Sequence, residues 1–126
     1  MALCISAGAI SAALAIQSFT LAWMHSIEKI RWEEDWRVEG QQLHLVEARI
    51  KGTGAGMEPP ANARLLEGAW HYRPEVAPIG LLSLAHSPYT TGYELCASGT
   101  CTPLVDFLPG IGETATIVLK ECRSDN

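Results

Sequence analysis

The sequence predicts an all-β fold, a single antiparallel β-sandwich or partly open barrel of about eight to ten short strands. Apolar and polar residues alternate over short runs, and turn residues separate those runs at short intervals. No capping residue is followed by a sustained helical period. A length of 126 residues suits one domain, 1–126, with a core of its own.

The chain opens with two apolar runs, Leu3 to Ile5 and Ile10 to Ile16, around a tight turn at Ser6-Ala7-Gly8-Ala9. Residues 1–24 carry no side-chain charge, which raises an export signal or a membrane span as alternatives. Ser6, Ser11, Gln17, Ser18 and Thr20 interrupt the apolar run, and no basic residue precedes it. The expectation is a folded β segment with no membrane span, hence a cytoplasmic protein, with the periplasm as the alternative.

Next, "SFTLAWMH" places Phe19, Leu21 and Trp23 on one face of a strand and Thr20, Ala22 and Met24 on the other. "IRWEEDWRV" aligns Ile30, Trp32, Trp36 and Val38, "VEGQQ" turns, and "LHLVEARI" returns from Leu43 to Ile50. "KGTGAGMEPPANA" is a Gly/Pro-rich loop, and further strands are expected near Gly68 to Tyr72, Leu81 to His86, Gly92 to Cys101 and Thr114 to Cys122.

The large apolar residues are odd-numbered before His25 and even-numbered after Lys29, so one flat strand cannot bury both sets. A bulge, a tight turn or a change of sheet is expected within His25 to Lys29. The second parity also carries Glu28 and Glu34 onto the aromatic face, where a half-buried carboxylate needs a partner or a raised pKa. Pairing with Arg49, Lys51 or Arg73 across the sheet, or a place at its wet edge, is the structural expectation, and contact with a ligand or a proton-handling role the functional one.

The net charge of −5, without a Lys/Arg cluster, excludes general nucleic-acid binding. His25, His44, His71 and His86 form no short metal-ligand pair, and neither a metal nor a cofactor is expected. "GTGAGMEPP" is no phosphate loop, because Glu58-Pro59-Pro60 prevents the helix that would hold the phosphate. Its glycines instead suit a compact loop forming one wall of a pocket. Cys96 and Cys101 flank Ala97-Ser98-Gly99-Thr100, whose hairpin turn brings the two sulfurs within disulfide reach. A bridge across so small a loop restricts the unfolded chain little. The spacing is neither a CxxC redox motif nor a zinc knuckle. Cys4 and Cys122 pair or stay as buried thiols, and two structural disulfides would imply export.

"FTLAWMHSIEKIRWEEDWRV", "LVEARIKGTGAGMEPP" and the "LC…C" hairpin together resemble a small bacterial family of unknown function, from about Phe19 to Cys101. Its members carry His-Ser, an aliphatic residue and Glu, then Glu-x-Trp and Gly-Ala-Gly, matched here by His25, Ser26, Glu28, Glu34, Trp36, Gly54, Ala55 and Gly56. They are often encoded beside TRAP-type transporters of the TAXI class. The resemblance implies a link to solute uptake, and an export signal in many members.

The combined expectation is a binding or accessory module of a TRAP-type uptake system. It would contact a small organic anion or a transporter component through His25, Ser26, Glu28, Trp32, Glu34 and Trp36, with Gly54, Gly56, Met57 and Glu58 in the covering loop. The alternatives are a small hydrolase-like enzyme, using His25 with Glu28 or Glu34 as acid and base, and a purely structural domain. Binding is favoured over catalysis.

Overall fold

A computed structural model describes residues 2–24, 30–51, 62–89 and 92–122. The expected all-β architecture is present as two antiparallel sheets that face each other without closing into a barrel. Sheet A has four strands in the order β2-β1-β11-β8: β1 (Ala2–Ala7), β2 (Ile10–Leu14), β8 (Leu81–His86) and β11 (Ala115–Cys122). Sheet B has seven, ordered β10-β9-β3-β4-β5-β7-β6. Its strands are β3 (Ser18–Met24), β4 (Arg31–Glu39), β5 (Gln42–Lys51), β6 (Arg64–Leu66), β7 (Ala69–Tyr72), β9 (Glu94–Ala97) and β10 (Thr100–Pro103). A 3-10 turn, Leu104–Phe107, follows β10. No helix among the described residues is long and apolar enough to cross a membrane.

The uncharged N-terminal segment is core. Leu3 and Ile5 of β1 are fully buried and meet Ile117 and Leu119 of β11, Leu21 and Leu95 of sheet B, and Leu104 and Leu108 beyond β10 in one apolar cluster. The expected hairpin between the two apolar runs forms, with Ala7 opposite Ile10. The disulfide Cys4–Cys122 links β1 to β11 across a sequence separation of 118.

The change of parity around His25 follows from antiparallel pairing. Phe19 faces Trp36, Leu21 faces Glu34 and Trp23 faces Trp32, so odd residues of β3 and even residues of β4 share one face. The connecting residues 25–29 lie outside the described residues. A second change of parity, unforeseen in "LHLVEARI", falls within β5. Asp35 pairs with Glu47 but Trp36 with Leu45, so Val46 is a bulged extra residue. The buried set therefore passes from Leu43 to Ala48 and Ile50.

The β9–β10 hairpin has the expected register, with Ala97 opposite Thr100 and Cys96 opposite Cys101. Ser98 at φ 53 and Gly99 at φ 82 supply the left-handed pair that a two-residue hairpin turn of type I′ needs. Cys96 and Cys101 are disulfide-bonded, with Cα atoms 3.9 Å apart.

The two bridges close loops of very different length, and chain entropy scales with that length. Replacing Cys4 and Cys122 by Ala is expected to lower unfolding free energy by about 5 kcal/mol, against about 2 kcal/mol for Cys96 and Cys101. Urea titration of the two double variants measures the difference.

Candidate functional site

Alternation along β4 sorts its acidic residues onto opposite faces of sheet B. Glu33 and Asp35 point outward into an ion network. Arg49 donates to both Asp35 oxygens at 2.6 and 2.7 Å, to Glu33 at 3.0 Å and to Glu47 at 2.9 Å. Arg31 donates to Glu33 at 2.7 Å and Glu94 at 3.0 Å, and the Thr20 hydroxyl donates to Asp35 at 2.7 Å. Burial alone would raise the Glu33 and Asp35 carboxyls, but these donors outweigh it and hold both below the usual range. Hydrogen bonding to Asp35 raises Arg49 in turn, and bonding to Glu33 raises Arg31.

Glu34 points the other way. Its partners in the sheet are Leu21 on β3 and Ala48 on β5, and Ala48 is itself opposite Tyr72. Along its own strand it is flanked on that face by Trp32 and Trp36, and the Trp36 indole Nε1 donates to Glu34 Oε1 at 3.2 Å. Burial pushes its carboxyl above the usual range, with the Trp36 bond acting more weakly in the opposite direction. Burial also raises the Tyr72 and Tyr93 phenols, assisted by the Glu34 charge. The expected pairing of Glu34 with Arg49 or Lys51 is thus corrected: both cations lie on the outer face, bound to Glu33. Their odd positions on β5 follow the bulge, which turns them away from Glu34. No ion pair joins Glu34 to Arg73 either, among the described residues.

The aromatic wall extends towards one end of the sheet. Trp23 and Trp32 stack with ring centroids 6.1 Å apart, and Tyr93 tilts against Trp23 at 5.6 Å. Here the sheets part around a cavity of about 430 Å³. Trp23 lines it from sheet B together with the Arg31–Glu94 ion pair, Tyr93 from just before β9, His86 and Ile117 from sheet A, and Leu104 and Val105 from the 3-10 turn. An apolar hollow of this size with a few polar groups is suited to a small molecule. Among the described residues, no group of three or more His, Cys, Asp and Glu is arranged to hold a metal.

Of the residues singled out in the sequence, Trp32, Glu34 and Trp36 come together as expected. His25, Ser26, Glu28, Gly54, Gly56, Met57 and Glu58 lie outside the described residues. Tyr72, Tyr93, Trp70 and His86 were not foreseen. Trp70 and Tyr72 carry a local signal, the period of two in "AWHY". Tyr93 and His86 carry none, since only the pairing of β9 with β3 and of β8 with β11 brings them to the inner space.

The fold and site define an antiparallel β-sandwich with a carboxyl group set into an aromatic sheet face beside an inter-sheet cavity. Residues 19–104 match the family described as a domain of unknown function, DUF1850, and the chain belongs to that family. No curated protein and no solved structure matches it.

The carboxyls on the two faces give opposite pH dependences. Glu34 titrates higher in the fold than in the unfolded chain, so the native state holds the extra proton. Its contribution falls as pH rises from the ordinary carboxylate value through the raised one. Glu33 and Asp35 titrate lower, so their contribution is lost as pH falls through their depressed values. Glu34→Gln is therefore expected to match the parent in acid and exceed its stability at neutral pH, whereas Asp35→Asn is less stable at neutral pH. Chemical denaturation across a pH series reads both signs. Arg49→Met, which strips the outer network of its main donor, is expected to cost about 2 kcal/mol in the same assay.

Proposed function

We propose that the chain is a small binding module of a TRAP-type solute uptake system, receiving a ligand or a partner protein on the aromatic face around Glu34. One observation carries the reading. Glu34 sits half-buried among Trp32, Trp36 and apolar neighbours, while Arg31, Arg49 and Lys51 serve Glu33 and Asp35 on the other face of the sheet. A carboxyl in such a place lowers the stability of the free protein when ionised, and a ligand that hydrogen-bonds it relieves that cost. The neighbouring cavity, with its Trp23 and Tyr93 wall, accommodates the apolar part of such a ligand.

The connection to uptake rests on the resemblance set out from the sequence, which spans nearly the same stretch as the family match. The same resemblance is the ground for including His25, Ser26, Glu28 and the Gly54 to Glu58 loop in the proposed site. The two disulfides support an oxidising compartment, and so the periplasmic alternative over the cytoplasmic one. The raised Glu34 carboxyl also suits an acid–base catalyst, which is the second reading.

Calorimetric titration with small organic anions and with the solute-binding and membrane components of a TRAP system tests the proposal. Glu34→Gln is expected to weaken binding about tenfold or more without lowering the thermal midpoint. An anion that takes a hydrogen bond from protonated Glu34 binds more tightly as pH falls; a donor group on a partner binds more tightly as pH rises. Equal affinity in parent and variant, or no binding to any of these, contradicts the proposal. Turnover of a small ester with a pH profile set by Glu34 would favour the enzyme instead.

A further inference from the structure

We propose that Cys96–Cys101 is an exchange site for dithiols, with Arg31 stabilising the thiolate that leaves. The inference is independent of the Glu34 face. The bridge lies on the outer face of the β9–β10 hairpin, at the edge of sheet B, and Cys101 is exposed where Cys96 is partly covered. The Arg31 Nη2 stands 3.9 Å from the Cys96 sulfur and 4.0 Å from the Cys101 sulfur. Its other guanidinium nitrogens are held by Glu33 and Glu94, which fixes the group over the bridge. A cation at that distance favours thiolate over thiol and so makes the sulfur a better leaving group.

The scaffold tolerates the opening. The loop closed by the bridge spans a sequence separation of 5, so opening it costs the fold less than half of what losing Cys4–Cys122 costs. Without the bond, β9 remains paired with β3, where Thr20 faces Cys96, and the Ser98-Gly99 turn still sets Cys101 opposite Cys96. The two thiols therefore stay adjacent and ready to close again. Cys4–Cys122, in contrast, ties the neighbouring central strands β1 and β11 of sheet A across a sequence separation of 118 and belongs to the permanent fold.

The step is an ordinary two-electron exchange. A thiolate of the dithiol attacks the exposed Cys101 sulfur, the Cys96–Cys101 bond breaks, and its electron pair leaves on Cys96 beside Arg31. The second thiol of the reductant, deprotonated, attacks its own sulfur in the mixed disulfide and releases Cys101 as thiolate. The reductant departs as a disulfide, and the protein keeps two electrons as the Cys96/Cys101 dithiol.

The test is a timed reduction of the folded full chain with dithiothreitol at neutral pH, quenched by alkylation and mapped by mass spectrometry. Cys96–Cys101 is expected to open completely while Cys4–Cys122 stays closed and the far-ultraviolet circular dichroism is unchanged. Arg31→Gln should slow that opening about tenfold, Arg31→Lys should restore most of the rate, and neither should alter Cys4–Cys122. Simultaneous reduction of both bridges, or an opening rate the same in Arg31→Gln as in the parent, overturns the proposal.

Discussion

The structure depends on how β4 divides its charges. Glu33, Glu34 and Asp35 are consecutive, and strict alternation sends the outer two to one side of the sheet and the middle one to the other. On the outer side both carboxylates meet Arg49 of β5, and Glu33 also Arg31 of its own strand, and both are stabilised as anions. On the inner side the same strand presents Trp32, Trp36 and Val38, and the middle carboxylate must share their environment. Moving Glu34 outward would require a one-residue slip of β4, which would expose Trp36 and Val38. The inner carboxyl is thus held by the burial of its neighbours, and it is the group on which a site on this face turns.

The bulge at Val46 completes this division. Without it, the residues following Leu43 and Leu45 would keep odd parity, and Arg49 and Lys51 would point inward at Glu34. The extra residue reverses the phase, puts Ala48 and Ile50 against the inner space and delivers both cations to the outer network. The same event gives Glu34 a small neighbour, Ala48, and removes its nearest sources of charge compensation. In this way, one inserted residue in β5 decides the chemistry of a side chain on β4.

Much of this was legible before any coordinates. Period-two alternation located the principal strands, and opposite parities in "FTLAWM" and "IRWEEDWRV" implied that Glu34 shares a face with the tryptophans. The turn residues Ser98 and Gly99 gave the hairpin register and thereby the Cys96–Cys101 bridge. Pairing of Glu34 with Arg49 or Lys51 holds only for an unbroken β5, and the strand instead changes phase from Leu43 and Leu45 to Ala48 and Ile50, a change visible in "LHLVEARI". Contributions that depend on sheet order were out of reach. Tyr93 joins Trp23 because β9 lies beside β3, and His86 reaches the cavity because β8 edges the opposite sheet. Neither adjacency is a property of local pattern.

A titration of the side-chain carboxyls by nuclear magnetic resonance tests the central claim most directly, because it reads each group of β4 separately. The division predicts that Glu34 titrates above the ordinary glutamate value of about 4.3 while Glu33 and Asp35 titrate below their ordinary values. Glu34 titrating at or below that value would mean that its carboxyl is solvated or paired with a cation, and would contradict the account.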